Sequence, residues 1–193
     1  MLGTEQDTSK MQNYAREIEK ETRALSKTVT DFLHFARPVK ISLRSTELEA
    51  LVSGAVEDLK GARFGPYRVE VHASSAASDI VCDPSLIRQV LFNLLINAAD
   101  AVGEDGLIRV SIDSDDVAGR VRLHVTDTGH GIPPDMMQKV FIPFFTTKPA
   151  GTGLGLPLVQ KIVLAHDGEI VVDSTPNEGT RVSLSFPAEP SKG

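Results

Sequence analysis

The sequence predicts an α/β fold, an α+β two-layer sandwich in which helices cover one face of a mixed sheet, preceded by a long N-terminal helix. Three features carry this expectation. Residues 5–37 contain neither Gly nor Pro, whereas from Val39 onward short strand-like and helix-like runs alternate. Strand-like runs come in adjacent pairs, 107–113 with 120–127 and 169–174 with 180–186. A helical run precedes each pair, at 84–102 and 155–166.

In the first helix the apolar seam is Met11, Ala15, Ile18, Thr22, Leu25, Val29, Phe32 and Ala36, stepping four and three alternately. That step averages about 3.5 residues, the period of coiled coils and bundles. A helix packed on its own domain would also carry an apolar stripe. So narrow a seam suits a second helix better, and residues 11–36 are expected to support a homodimer. Pro38 closes the helix, because it lacks an N–H and its ring blocks the preceding turn.

After it, VKISLR (39–44) reads as a strand, and Thr46 with Glu49 reads as a capping box for a helix to about Lys60. YRVEVH (67–72) alternates as a half-buried strand, and DIVC (79–82) is a second short one. Asp83 and Pro84 open the helix that follows. A lid-like stretch spans about 129–153, and the tail PAEPSKG is expected to be disordered.

The net charge is 20 − 26 = −6, which argues against nucleic acid as a partner. The single Cys82 excludes an internal disulfide and a multi-cysteine zinc site, and is expected to be a small core residue. No apolar run reaches the ~20 residues that span a bilayer, and no signal peptide opens the chain. A cytoplasmic location without direct membrane contact is expected.

Three motifs carry chemistry. In NLLIN, Asn93 and Asn97 stand four apart on one face of an apolar helix. A single such asparagine would be a buried hydrogen-bond partner. A stacked pair can offer amide oxygen to Mg²⁺, which takes hard oxygens at about 2.0–2.1 Å and keeps several waters. In DTGHGIP, Asp127 ends a strand and is followed by Gly129 and Gly131. This suits either an ordinary Asp-Gly turn or a buried acceptor for an exocyclic amine such as that of adenine, with glycines for close approach. His130 reads as a solvent-facing loop residue.

In GTGLGL, Gly151 to Leu156, the third glycine comes one residue too soon for a dinucleotide fingerprint, and the Gly-Lys-Ser/Thr of a Walker loop never occurs. What remains is a glycine hinge feeding a helix N-terminus, able to bind phosphate. Lys148 reads either as an exposed loop lysine or as a reach to the terminal phosphate. Phe141, Phe144 and Phe145 are expected to pin the lid onto the core. The order and spacing of the three motifs together point to an ATP pocket.

These segments resemble the N box, first glycine box, F box, second glycine box and closing Gly-Thr (Gly179, Thr180) of the sensor histidine kinase catalytic domain, over about residues 24–187. FFTTK and FARP resemble the nitrogen-regulation subgroup. The resemblance implies a Bergerat-type fold with ATP and Mg²⁺ under a mobile lid. It implies that Asp127 takes the adenine amine, with Gly129, Gly131 and Thr180 beside it, and that Asn97 binds Mg²⁺ with Asn93 assisting. It also implies that Lys148 and the backbone of Gly151, Thr152, Gly153, Leu154 and Gly155 hold the phosphates. Residues 1–38 would be the second helix of a dimerisation hairpin, 39–187 the catalytic domain and 188–193 a flexible tail. Implied partners are that hairpin and a response regulator receiver domain.

The sequence departs from the family in one respect. The family's phosphate acceptor is a histidine followed by an acidic residue, and none of His34, His72, His124, His130 or His166 has that context. The acceptor helix is expected to be absent from this chain, which should then bind ATP without labelling itself. Related ATP hydrolases carry a general-base glutamate one helical turn before the metal asparagine, and here that position is Asn93. A module that senses nucleotide without catalysis is the competing reading.

Overall fold

The computed structural model describes residues 2–62, 65, 67–74, 79–115, 118–148 and 151–188. The chain runs α1 (Leu2–Ala36), β1 (Arg44–Thr46), α2 (Leu48–Ala62), β2 (Arg68–Ala73), β3 (Ile80–Cys82), α3 (Pro84–Ala101), β4 (Leu107–Asp115) and β5 (Arg120–Asp127). It continues through α4 (Pro134–Met137), α5 (Gly155–Ala165), β6 (Glu169–Thr175) and β7 (Gly179–Pro187).

Period-2 alternation builds the main sheet, because successive strand side chains point to opposite faces. One face of β4, β5 and β7 buries Ile108, Val110, Ile112, Val121, Leu123, Val125, Val182, Leu184 and Phe186. The opposite face carries Arg109, Asp113, Arg122 and His124. The sheet order is β2-β4-β5-β7-β6, with β2 parallel to β4 and every other pair antiparallel. Helices α2, α3 and α5 lie on the apolar face, where Val52, Leu59, Ile87, Leu91, Leu95, Val159 and Ile162 complete one core. Truncating a fully buried member such as Leu123 to Ala would cost about 2–5 kcal/mol. The expected two-layer sandwich is the observed one.

The entry to α3 is built as the sequence implies. The Asp83 carboxylate accepts the N–H groups of Ser85 at 3.0 Å and Leu86 at 3.2 Å, and Pro84 occupies the first turn. It also accepts the Ser42 N–H at 2.9 Å. Burial works to raise its pKa, and these three N–H groups outweigh that, holding the carboxyl below its ordinary range. The Asp83 N–H donates to Nε2 of buried His166 at 3.0 Å, while His166 Nδ1 lies 2.7 Å from the Ile162 carbonyl oxygen. The imidazole is therefore neutral with its proton on Nδ1, and it ties the start of α3 to the end of α5.

Three expectations need correction. Residues 39–43 are not a strand. Ser42 N–H is taken by the Asp83 carboxylate, and ladder pairing with β3 begins only at Arg44. Thr46 does not open a capping box. It belongs to β1, its hydroxyl donates to the Arg44 carbonyl, and α2 begins at Leu48. The tail is ordered further than expected, since Pro187 ends β7 and Ala188 bridges Ile80; residues 189–193 lie outside the described residues. Cys82 is fully buried, as expected.

Candidate functional site

The motifs meet at the end of the sheet where β5 finishes. Asp127 continues the inward alternation of Val121, Leu123 and Val125, pairs with Thr180 across the ladder and is 7% exposed. Its Oδ1 accepts the Gly129 N–H at 2.8 Å. Burial pushes the Asp127 carboxyl above its ordinary value, and the N–H groups of Gly129 and Thr180 with nearby His130 and Lys148 offset only part of this. A buried acceptor facing the core side of the sheet is the result.

The glycines around it are required by the chain's own backbone. A Cβ on Gly129 would lie 2.5 Å from the Ala101 carbonyl oxygen. Gly179, at φ 113°, brings its Cα against the Asp127 carbonyl, where a Cβ would stand 1.9 Å away. Gly131 has the positive φ the sequence suggested and packs on Thr175. Thr180 is held through Ser174, whose hydroxyl lies 2.9 Å from the Thr180 hydroxyl and accepts the Ile132 N–H at 2.8 Å. His130 is exposed, as expected.

On α3, Asn93 Nδ2 donates to the Gln89 carbonyl at 2.9 Å. Its Oδ1 is then the atom nearest Gly155, 3.6 Å from where a Cβ would be, with Asn97 Nδ2 at 3.8 Å. The N-terminus of α5 thus sits against the asparagine pair, and no side chain caps it. Lys148 Nζ reaches across from the lid to Asn97 Oδ1 at 3.2 Å and Asp100 Oδ2 at 2.9 Å. Among the described residues no three His, Cys, Asp or Glu side chains converge as a metal cluster. Asn97 Oδ1 shares the Lys148 ammonium with Asp100 Oδ2, and Asn93 Oδ1 faces Gly155 one helical turn earlier. Amide oxygens of this kind fit a partly hydrated Mg²⁺ completed by phosphate.

Not every expected residue faces this space. The Thr152 hydroxyl donates to Asp31 Oδ2 of α1 at 3.0 Å. Phe144 does not pin the lid to the core. It is exposed, has φ 67°, and stacks on Phe32 of α1 with ring centroids 6.2 Å apart. Phe145 stands within 5.9 Å of the Lys139 ammonium. The buried apolar residues of the lid are instead Val140 and Leu154. Gly153 is left-handed, and its carbonyl accepts the Phe144 N–H at 3.1 Å. Gly151 packs on Thr146 and Lys148.

Sequence reading missed Asp100, Ser174 and Asp31. Asp100 was findable, since it stands three residues after Asn97 and so shares its helix face. Ser174 and Asp31 carried no local signal.

Fold and motifs together suit a nucleotide-binding domain, with the motif residues gathered where a helix, a sheet end and a lid meet. The chain belongs to the family of histidine kinase-, DNA gyrase B- and HSP90-like ATPases, whose model matches residues 82–190. It is 36% identical over 174 residues to the sensor histidine kinase ZraS of Escherichia coli O157:H7, covering 90% of this chain and 38% of that protein. Full-length ShkA in complex with AMPPNP is similar at TM-score 0.81 and 27% identity, over 94% of this chain and 40% of that one. Histidine kinase ThkA in complex with response regulator protein TrrA is similar at TM-score 0.73 and 26% identity, over 93% of this chain and 52% of that one. The domain is the ATP-binding catalytic domain of the sensor histidine kinase class, and the chain spans well under half the length of ZraS.

Proposed function

We propose that this chain positions Mg²⁺-ATP and delivers the γ-phosphate to a histidine on a dimerisation hairpin, for relay to the receiver domain of a response regulator. The carrying observation is that Lys148 of the lid and Asn97 of α3, far apart in sequence, share a hydrogen bond beside the N-terminus of α5. Residues 39–187 are the catalytic domain in this reading and 1–38 the second hairpin helix. The seam residues Met11, Ile18, Leu25 and Val29 are exposed in the single chain and would pair with other helices. FFTTK and FARP support the nitrogen-regulation-like subgroup.

Asp127 accepts the adenine amine, with Gly129, Gly131 and Thr180 forming the wall around it. Asn97 and Asn93 hold the metal through amide oxygen. When bound, Mg²⁺ neutralises charge on the phosphate oxygens. Lys148 and the backbone from Gly151 through Thr152, Gly153 and Leu154 to Gly155 hold the phosphates, with the α5 dipole adding to their field. Such a site works by positioning and charge stabilisation. The accepting imidazole and the carboxylate that takes its proton come from the hairpin. His72, His124, His130 and His166 are each engaged elsewhere, and the side chain of His34 lies outside the described residues. Asn93 supplies no base for water, which sets the domain apart from its hydrolase relatives.

The test is to mix the chain with a hairpin protein bearing a histidine-acidic pair and radiolabelled ATP. Acid-labile label should appear on the hairpin and none on the chain alone. Phosphate on His34 after incubation of the chain by itself would overturn this assignment. A hairpin left unlabelled while ATP still binds would favour a nucleotide-sensing docking module, which the lid-to-α1 contacts of Thr152 and Phe144 also support.

A further inference from the structure

We infer that Asp100 is a positioning residue that latches the lid in the nucleotide-free protein, holding the Lys148 ammonium as an internal cation on the Asn97 amide oxygen. The inference rests on the pocket reading above, which assigns that oxygen to the metal and that ammonium to phosphate.

Lys148 Nζ makes two bonds, 2.9 Å to Asp100 Oδ2 and 3.2 Å to Asn97 Oδ1. Their side chains are only 37% and 20% exposed, for Lys148 and Asp100, so solvent screens this ion pair less than one on an open surface. Asp100 and Asn97 lie three apart on α3 and present both oxygens to one atom. The lid is shaped to deliver the lysine. Lys148 N–H donates to the Thr146 hydroxyl at 3.1 Å, and its carbonyl accepts the Gly151 N–H at 3.0 Å. A Cβ on Gly151 would stand 2.5 Å from that same hydroxyl, so the backbone beside Lys148 leaves room only for glycine there.

The two uses of these atoms exclude each other. A divalent ion on Asn97 Oδ1 would repel the ammonium now 3.2 Å from that oxygen, and an ammonium turned to phosphate gives up its pairing with Asp100. Nucleotide with its metal therefore displaces Lys148 from Asp100, and the latch opens only when the cation it mimics arrives. Asp100 sets how firmly the lid lysine is held over α3.

The experiment follows amide hydrogen exchange across residues 144–148 and 151–153 in the nucleotide-free full chain, for Asp100→Asn, Lys148→Met and the double variant. A partly exposed ion pair is weak, so each single substitution should speed exchange there by about two- to fivefold. The double variant should be no faster than either single one, because both remove the same interaction. Lid exchange equal to wild type in both single variants, or fully additive acceleration, would overturn the latch. Thermal unfolding checks that each variant folds, and the two singles serve as independent probes. Calorimetric ATP binding by the unsubstituted chain separates the two claims. Absent binding sinks the pocket reading, whereas intact binding with unchanged exchange sinks only the latch.

Discussion

The proposed pocket wall and the lid beside it are made in opposite ways. Asp127 and Thr180 end the inward faces of two strands, and Asn93 and Asn97 stand on a helix whose apolar side fills the core, so their positions follow from buried packing. The lid between Ile132 and Leu154 holds, among its described residues, one four-residue helix and the buried side chains of Val140 and Leu154. Its polar and aromatic reach to α3 and α1 is through few contacts: Lys148 on Asn97 and Asp100, Thr152 on Asp31, Phe144 on Phe32. Each is exposed or half-exposed. Sites need rigid walls for precision, whereas elements that must open come from the weakly stabilised parts of a fold. The difference implies that wall substitutions change affinity or stability, and lid substitutions change mobility first.

The sharpest way to break this contrast is Asn97→Ala. Mg²⁺-dependent ATP binding should be lost by at least about tenfold, with Asn93→Ala milder, because the metal loses its hard oxygen. Titration of ATP with and without Mg²⁺ decides it; an unchanged dependence on the metal would refute the assignment.

Asp127→Asn comes next. Hydrogen bonds to charged groups contribute about 1.5–3 kcal/mol, so affinity should fall about tenfold or more while the fold persists. Calorimetric affinity within about a factor of two of wild type would reject the adenine role. The same variant reads out the buried charge. The folded pKa lies above the ordinary 3.8, so the native state keeps its proton longer than the unfolded one and stability falls as pH rises through the window above 3.8. The amide removes that fall, and unfolding temperatures of variant and wild type should diverge in the variant's favour as pH rises from about 4 to 7.

Gly179→Ala tests the wall by stability alone. The positive φ and the 1.9 Å approach to the Asp127 carbonyl oxygen leave no room for a methyl group. A loss above about 1 kcal/mol is expected, lowering the melting temperature by at least about 2–4 °C. A melting temperature equal to wild type would show that the ladder can shift to accept it.

The smallest effect belongs to the lid. Phe144→Ala removes a stacking contact worth about 0.5–1.5 kcal/mol at most, less here because both rings are exposed. Lid amides should exchange faster with the global melting temperature unmoved within about 1–2 °C. A global loss comparable to that of Gly179→Ala would erase the distinction between the two regions.

Much of the wall was legible in the sequence, because periodicity is a local property that burial then enforces. The strand-like run RVRLHVTD placed Asp127 at a strand end, and the i, i+4 spacing placed Asn93 and Asn97 on one helix face. Asp83-Pro84 marked the start of α3 for the same reason. What failed were assignments whose partners come from far along the chain. VKISLR has strand composition, but Asp83 takes the Ser42 N–H that a ladder would use. Thr46 has a capping pattern, but β3 recruits it first. Phe144 is apolar, yet its neighbour is α1 and not the core. Lys148 was read toward a phosphate, while its bonds to Asn97 and Asp100 depend on how the lid folds over α3. The sequence by itself determined the elements, the inward faces and the residue types of the site, since these follow from chain geometry within a few residues. The tertiary structure decided which glycines are obligatory, where the lid rests and what occupies its lysine, since these depend on contacts between segments that only folding brings together.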